Sequence, residues 1–231
     1  DLDKSVPGGG VIAGVGFIRG TRCMVMVSDA GIDAGALQPM GLDKVLRVQE
    51  LALENKLPYV QLVESAGANL PDQAKIFNYG GANFRGITQR SKEGIPTISI
   101  VFGSSTAGGA YIPGMSDYVI MVKNEAKVFL AGPPLVKMAT NEITDEESLG
   151  GAKMHSTISG VSDYMAEDEM DGIRIAREIL SNLKSEIRNQ KSEITSAHPL
   201  AFTPRSPCLT KRSNNVLMPS TDSTQVFTFT S

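Results

Sequence analysis

The sequence contains no tryptophan, only two histidines and two cysteines, and no surplus of basic residues. Cys23 and Cys208 lie far apart and form no CxxC or Cys/His spacing, which argues against a disulfide framework and a structural zinc site. With 22 basic against 25 acidic residues the formal net charge is −3, which disfavours general binding to nucleic acid or to anionic lipid. We therefore expect a protein of a reducing compartment with no metal site, no nucleic-acid partner and no membrane partner.

Long apolar runs are also missing. The longest of them, such as residues 96–102, are far shorter than the roughly 20 residues that a membrane-spanning helix needs. Residues 1–5 do not have the layout of a secretory signal. We expect a soluble intracellular chain whose 231 residues suffice for one α/β domain with a sizeable core.

Glycine disappears towards the end of the chain. All 23 glycines lie at or before Gly172, and residues 184–231 contain none. The same 48 residues hold 15 serines and threonines, and their apolar residues follow no sustained period of 2 or 3.6. This change of composition predicts a folded body over residues 1–183 and a disordered or non-native tail over residues 184–231.

Within the body, short apolar runs alternate with helical patterns. The runs predict strands at residues 22–27, 59–63, 97–102, 118–122 and 126–130. The helical patterns cover residues 42–54, 84–92, 110–115 and 166–183. Strands and helices that alternate at this spacing are typical of parallel crossover units, so the sequence predicts an α/β fold.

Two strands are each followed directly by a turn rich in glycine and alanine, at residues 63–71 and 103–111. Small residues allow a sharp turn and a close approach of a ligand to the main chain. Where a helix follows, its first N–H groups have no internal acceptor. Two such turns that face one point would hold an oxyanion between backbone donors, without a charged side chain.

Other interpretations of these turns stay open. Neither turn has the GxxxxGK[ST] or GxGxxG pattern of a phosphate loop. Residues 103–107 place Ser105 as in a hydrolase nucleophile elbow, but Ala107 stands where the second glycine belongs. The turns also serve as plain strand-to-helix connections if no ligand binds there.

The residues around the second turn resemble a known family. Residues 103–117, GSSTAGGAYIPGMSD, and 129–137, FLAGPPLVK, are similar to the N-terminal half of the carboxyltransferase (β) subunit of biotin-dependent acyl-CoA carboxylases. Further similar pieces in the family's order are residues 43–52, 64–71, 149–155 and 159–161. The likeness runs from about residue 11 to residue 183. The AGGAY and GPPLVK runs favour the methylcrotonyl- or geranyl-CoA carboxylase branch.

The resemblance implies a crotonase/ClpP-like spiral of ββα units that binds an acyl-CoA substrate. It implies transfer of a carboxyl group from carboxybiotin to the α carbon, or the vinylogous γ carbon, through an enolate held by backbone oxyanion holes. The biotin is expected on a partner carrier protein or domain, with a biotin carboxylase/biotin carrier subunit as partner in an ATP-dependent holoenzyme of the ligase type. A homo-oligomer is expected, in the bacterial cytoplasm or the mitochondrial matrix.

The resemblance also assigns site residues. The main-chain amides that it makes catalytic are those of Gly67, Ala68, Gly108, Gly109 and Ala110. The residues that it places around the substrate are Ser65, Ala66, Asn69, Thr106, Ala107 and Tyr111. No metal ligand is implied.

The chain departs from the family's pattern at two points. Ala66 stands where the family usually has glycine, and a positive φ at this position would exclude alanine. The family's second domain, which binds biotin, is absent from these 231 residues. A truncated, non-catalytic domain that binds acyl-CoA or another subunit is therefore an alternative function.

Three side chains remain candidates for other roles. A crotonase-type hydratase or isomerase would need a glutamate beside the thioester, and Glu64 is the candidate. Glu64 and Asp117 could form an acid/base pair if they lie close together. His155 follows a Gly-Gly pair in a loop, and for it we favour a structural role over contact with substrate.

Overall fold

The structure, a computed structural model, describes residues 7–196. In that part of the chain the strands are β1 (Val11–Ile18), β2 (Thr21–Ser28), β3 (Tyr59–Ser65), β4 (Thr97–Thr106), β5 (Tyr118–Val122), β6 (Lys127–Phe129) and β7 (Tyr164–Ala166). The α-helices are α1 (Pro39–Glu54), α2 (Gln73–Lys92), α3 (Tyr111–Gly114), α4 (Pro133–Thr140), α5 (Glu146–Gly150), α6 (Ala152–Met154) and α7 (Glu169–Ser196).

The strands form one mixed sheet in the order β1-β2-β3-β4-β5-β7. Strands β1 and β2 make an antiparallel hairpin, and every later pairing is parallel. Strand β4 is the longest and has two neighbours on the same side. Its first half pairs with β5, and its last three residues, Ser104–Thr106, pair with the short strand β6. The carboxyl end of β4 is thus supported from both sides.

Both faces of the sheet are covered, because strand side chains alternate between two apolar clusters. On β2, Cys23 belongs to the larger cluster, while Met24 and Met26 belong to the smaller one. Helix α7 packs on the larger cluster through residues such as Ile179 and Leu180. Helix α1 packs on the smaller cluster. The parallel part of the sheet therefore has the buried strands expected of an α/β protein.

The predicted strands are confirmed to within a few residues, and the strands β1 and β7 were not predicted. Helix α2 starts at Gln73, well before the predicted start at residue 84. Glycines 80 and 81 interrupt its pattern in the sequence, but the helix buries Ile76, Ile87 and Arg90 along one face. Packing therefore decides the helix where local propensity does not.

Helix α7 differs from the prediction at both ends. Ala166 belongs to β7, and Asp168 precedes the helix and accepts a hydrogen bond from the Asp171 N–H at 2.7 Å, as an N-cap does. At the other end the helix continues to Ser196, so the predicted boundary at residue 183 falls inside it. The rest of the predicted tail, residues 197–231, lies outside the described residues. Among residues 7–196, no helix combines the length and the apolar character needed to cross a bilayer.

Candidate functional site

The two glycine turns lie side by side at the carboxyl ends of the neighbouring strands β3 and β4. Ser65 and Ser105 are paired where the strands end. A β-carbon built on Gly67 would stand 3.1 Å from the Thr106 carbonyl oxygen and 3.5 Å from the Gly108 nitrogen. The parallel sheet therefore brings together the two turns that the sequence singled out.

Glycine is favoured at two points of this contact. Gly67 has a φ of +90°, which L side chains rarely adopt. Gly109 lies so close to Ser65 that a β-carbon would stand 3.1 Å from its side chain, a tight contact that Ser65 would have to relieve by moving. Ala66 is not among the residues with positive φ, so the alanine at this position creates no backbone strain.

A third segment, which the sequence analysis did not identify, holds the first turn. The Ala66 N–H donates to the Ala34 carbonyl at 3.0 Å, and the Leu37 N–H donates to the Gly67 carbonyl at 2.8 Å. The Asn69 N–H donates back to the Leu37 carbonyl at 3.1 Å. The signal in the sequence is a third run of glycine and alanine, at residues 30–36, again directly after a strand.

The polar side chains of the first turn have partners within the protein. The buried Ser65 hydroxyl donates to the Gly35 carbonyl at 3.0 Å and accepts from the Gly67 N–H at 3.1 Å. The Asn69 side-chain amide donates to Gln38 Oε1 at 2.9 Å. These contacts shape the turn and use the Ser65 hydroxyl and one N–H of the Asn69 amide, two side chains that the resemblance places around the substrate.

One main-chain donor of the first turn stays available. Leu37 pairs with Ala68 through bonds that use the Leu37 and Asn69 N–H groups, and not that of Ala68. Among the described residues the Ala68 N–H has no acceptor. The Gly67 N–H, by contrast, already donates to Ser65.

The second turn is a 3₁₀ segment, Ala107–Ala110, that leads into α3. Gly108 is its second residue, and the first N–H groups of such a segment have no acceptor inside it. Gly108 is exposed, and nothing lies within 4 Å of where its β-carbon would be. Ala107, also exposed, has a φ of +51°, a costly conformation for alanine. Its left-handed backbone lets the chain leave β4 in a sharp turn.

The buried part of the second turn is held by a side chain of β4. The buried Ser105 hydroxyl donates to the Gly109 carbonyl at 3.0 Å. Gly109 and Ala110 are buried, and Thr106 is half-buried. The predicted site residues thus divide into an exposed rim and a buried support.

An aromatic pair stands beside the second turn. The rings of Tyr111 and Phe84 have centroids 5.0 Å apart at an angle of 47°. Tyr111 is 44% exposed and directly follows the 3₁₀ segment, so part of its ring is accessible near the end of the second turn.

The structure separates the proposed acid/base pair. Glu64 lies at the carboxyl end of β3, with its side chain against Gly103. Asp117 accepts the Thr97 N–H at 2.7 Å at the start of β4. The two carboxylates therefore lie at opposite ends of the sheet, about 20 Å apart along the strands. Between residues 7 and 196 there is no cluster of three or more His, Cys, Asp or Glu residues that could hold a metal ion.

Comparison with known proteins identifies the family. The model of the carboxyl transferase domain matches residues 1–224, which is nearly the whole chain and extends beyond residue 183. The chain belongs to the carboxyl transferase domain family. The resemblance drawn from the sequence motifs is confirmed.

Individual relatives agree with the branch expected from the motifs. The chain is 55% identical over 176 residues to a probable biotin-dependent acyl-coenzyme A carboxylase beta2 subunit of Mycobacterium tuberculosis, covering 76% of this chain and 33% of that one. It is 49% identical over 185 residues to the mitochondrial methylcrotonoyl-CoA carboxylase beta chain of Arabidopsis thaliana, covering 78% and 31%. The chain therefore spans about a third of the length of these carboxyltransferase relatives.

A solved structure supports the fold. The beta subunit of geranyl-CoA carboxylase from P. aeruginosa superposes with a TM-score of 0.70 at 51% identity, covering 74% of this chain and 32% of that one. The carboxyl transferase family and this neighbour confirm the crotonase-like α/β fold that the motif resemblance implied.

Proposed function

We propose that this chain binds the acyl group of an acyl-CoA where the two glycine turns meet, as one half of a carboxyltransferase site. The observation that carries the proposal is the contact between the turns, with Gly108 nitrogen 3.5 Å from the β-carbon position of Gly67. The thioester oxygen would accept from the Ala68 and Gly108 N–H groups. The buried residues Gly67, Gly109 and Ala110 would support the backbone of this oxyanion hole.

Main-chain N–H groups at the junction of the two turns suit the negative charge of an enolate. Loss of the proton next to the thioester carbonyl places negative charge on its oxygen, where fixed N–H dipoles stabilise it without reorganisation. One such donor lowers the barrier by about 3–4 kcal/mol. Thr106, Ala107, Ala66 and Tyr111 would form the rim around the acyl chain.

The carboxyl donor must come from elsewhere. We assign carboxybiotin to a carrier on another chain or domain, a proposal supported by relatives that are named as biotin-dependent. When bound, carboxybiotin would supply the carboxyl group and a nitrogen base for the substrate proton. The amides of Ala68 and Gly108 would hold the oxygen of the enolate, while its α or γ carbon would gain the carboxyl group. A second domain in the same oligomer would bind the carrier.

The experiment is a titration of the purified chain with 3-methylcrotonyl-CoA, geranyl-CoA and propionyl-CoA, with free CoA as control. The proposal expects that at least one thioester binds more tightly than CoA, because only the thioester has a carbonyl oxygen for the amides. No binding of any of these thioesters to the folded chain would contradict it.

A second assay separates turnover from binding alone. Sustained carboxylation by the chain with free carboxybiotin would exclude the non-catalytic alternative, and binding without turnover would favour it. Crotonase-type hydration would be tested with Glu64→Gln: hydratase activity that is unchanged by this substitution would exclude a mechanism through Glu64.

A further inference from the structure

His155 is a buried histidine with both ring nitrogens bonded, at the start of the π-helical segment His155–Ser159. Nε2 lies 2.7 Å from the Val128 carbonyl oxygen, and Nδ1 lies 2.7 Å from the Ser159 hydroxyl. Because a carbonyl oxygen only accepts, Nε2 must carry a hydrogen. In the neutral ring, Nδ1 then accepts from Ser159.

Val128 is the middle residue of β6, the short strand that supports the second glycine turn. It is paired with Ser105, and its neighbour Phe129 is paired with Thr106. Among the described strands β6 pairs only with β4, and three residues make a weak ladder. Gly150 packs so closely against the Val128 carbonyl that it has no room for a β-carbon. Contacts on the far side of β6 therefore decide where it lies.

Ser105 links the pairing of β6 with β4 to the second turn. This residue is completely buried, and its hydroxyl donates to the Gly109 carbonyl at 3.0 Å. We propose that His155 is a positioning residue: its bond to Val128 holds β6 against β4 and thereby holds the turn that presents the Gly108 amide. This inference rests on the proposed function for the part that Gly108 plays in binding.

Two substitutions distinguish this role from general support of the fold. A glutamine side-chain nitrogen reaches about as far as Nε2, so His155→Gln keeps a donor for Val128. An asparagine nitrogen reaches only about as far as Nδ1, so His155→Asn keeps a partner for Ser159 and loses Val128. Ser159→Ala removes the bond to Nδ1, together with the contacts of the same hydroxyl with the Val161 N–H and the His155 carbonyl, keeps the bond to Val128, and is the matched control.

The first readout is amide hydrogen exchange, which needs no ligand. For His155→Asn we expect about tenfold faster exchange at residues 105–109, the factor set by one lost hydrogen bond. Exchange at residues 59–63 of β3 should stay within twofold of the wild type. His155→Gln and Ser159→Ala should stay within twofold at both places.

The second readout is the dissociation constant for the acyl-CoA that binds the wild type most tightly. We expect His155→Asn to raise it about tenfold and His155→Gln to leave it within twofold. If the wild type binds no acyl-CoA, the proposed function fails, while the exchange comparison still tests the positioning of the turn.

Equal effects of the two substitutions, or faster exchange over the whole sheet, would show that His155 only supports the fold. If His155→Asn does not fold, Ser105→Ala interrupts this link between β6 and the second turn. In the Ser105→Ala variant the rate of amide hydrogen exchange must then rise at the second turn alone. A uniform rise over the sheet would overturn the proposal.

Discussion

A β-carbon added at Gly109 would lie 3.1 Å from both the β-carbon and the hydroxyl oxygen of Ser65. This contact joins the two glycine turns at their base, and it ties the geometry of one turn to that of the other. Because Ser65 is itself bonded to Gly35 and Gly67, it has little freedom to move away.

Gly109→Ala should therefore lower the free energy of unfolding by about 1–3 kcal/mol, the usual cost of overpacking. Gly108→Ala should leave stability within about 1 kcal/mol, because its β-carbon meets nothing within 4 Å. It should nevertheless weaken acyl-CoA binding, because the methyl group stands beside the proposed donor.

Chemical denaturation and a thioester titration measure the two effects. Gly114→Ala is the control, since Gly114 also has open space around it but lies nearer the start of β5. Equal stability of the two site variants would argue against the close contact between the turns.

Two buried serines on β4 can be compared, because one is bonded to the second turn and the other is bonded far from it. Ser105 bonds to Gly109 in the turn, and Ser99 bonds to Ser116 at 2.7 Å near the other end of the strand. Ser105→Ala should lower the free energy of unfolding by about 1 kcal/mol, the net value of one hydrogen bond, and Ser99→Ala by at least as much, because the Ser99 hydroxyl also accepts from Gln61.

Only Ser105→Ala should also raise the dissociation constant for acyl-CoA, by about tenfold, because only Ser105 fixes the second turn. The two variants are compared by denaturation and by the same titration. Weaker binding by Ser99→Ala to the same degree would show that binding follows overall stability and not the turn.

Arg90 is a buried cation at the other end of the sheet. It is completely buried, its guanidinium lies 4.1 Å from the centre of the Tyr59 ring, and its nitrogens have no hydrogen-bond acceptor among the described residues. Burial lowers the pKa of Arg90, while Tyr59 and Asp117 raise it. The contact with the ring compensates only part of the cost of burying the charge.

Arg90→Met should keep the volume, remove the charge and raise the free energy of unfolding by about 1 kcal/mol. Arg90→Ala should lower it by about 3 kcal/mol through the cavity that it leaves. Urea denaturation of both variants checks this. If Arg90→Met lowers the free energy of unfolding as much as Arg90→Ala does, the guanidinium makes a favourable polar interaction that outweighs the cost of its burial.

Cys23 should be unreactive in the folded protein. Burial raises the pKa of its thiol to about 12, and the thiol donates to the Thr21 carbonyl at 3.3 Å. At pH 8 the group is therefore protonated, and the thiolate that attacks disulfide reagents is about 10⁻⁴ of the total.

A colorimetric thiol assay in a Cys208→Ser background checks this. We expect no reaction within an hour in native buffer and one thiol per chain in denaturant. Rapid reaction of the native protein would contradict the burial of Cys23.

The sequence predicted the two turns where local chemistry decides the backbone, while the roles of their residues in binding stay a prediction. The Gly108–Gly109 pair and Gly67 mark turns because they follow apolar strands, and parallel pairing then places the turns together. The segment at Ala34 carries a similar run of glycine and alanine after a strand, but its bonds to the first turn join residues far apart in the chain and arise only in the folded protein. The partner of His155 lies 27 residues away in the chain, so its hydrogen bond arises only when folding brings His155 against β6.

A ¹⁵N–¹H titration of the labelled chain with acyl-CoA tests most directly whether the amides of Ala68 and Gly108 donate to the thioester oxygen. We expect the largest shifts at the Ala68 and Gly108 amides with the thioester and none at these amides with free CoA. Binding that leaves both amide signals in place, while others move, would contradict this expectation.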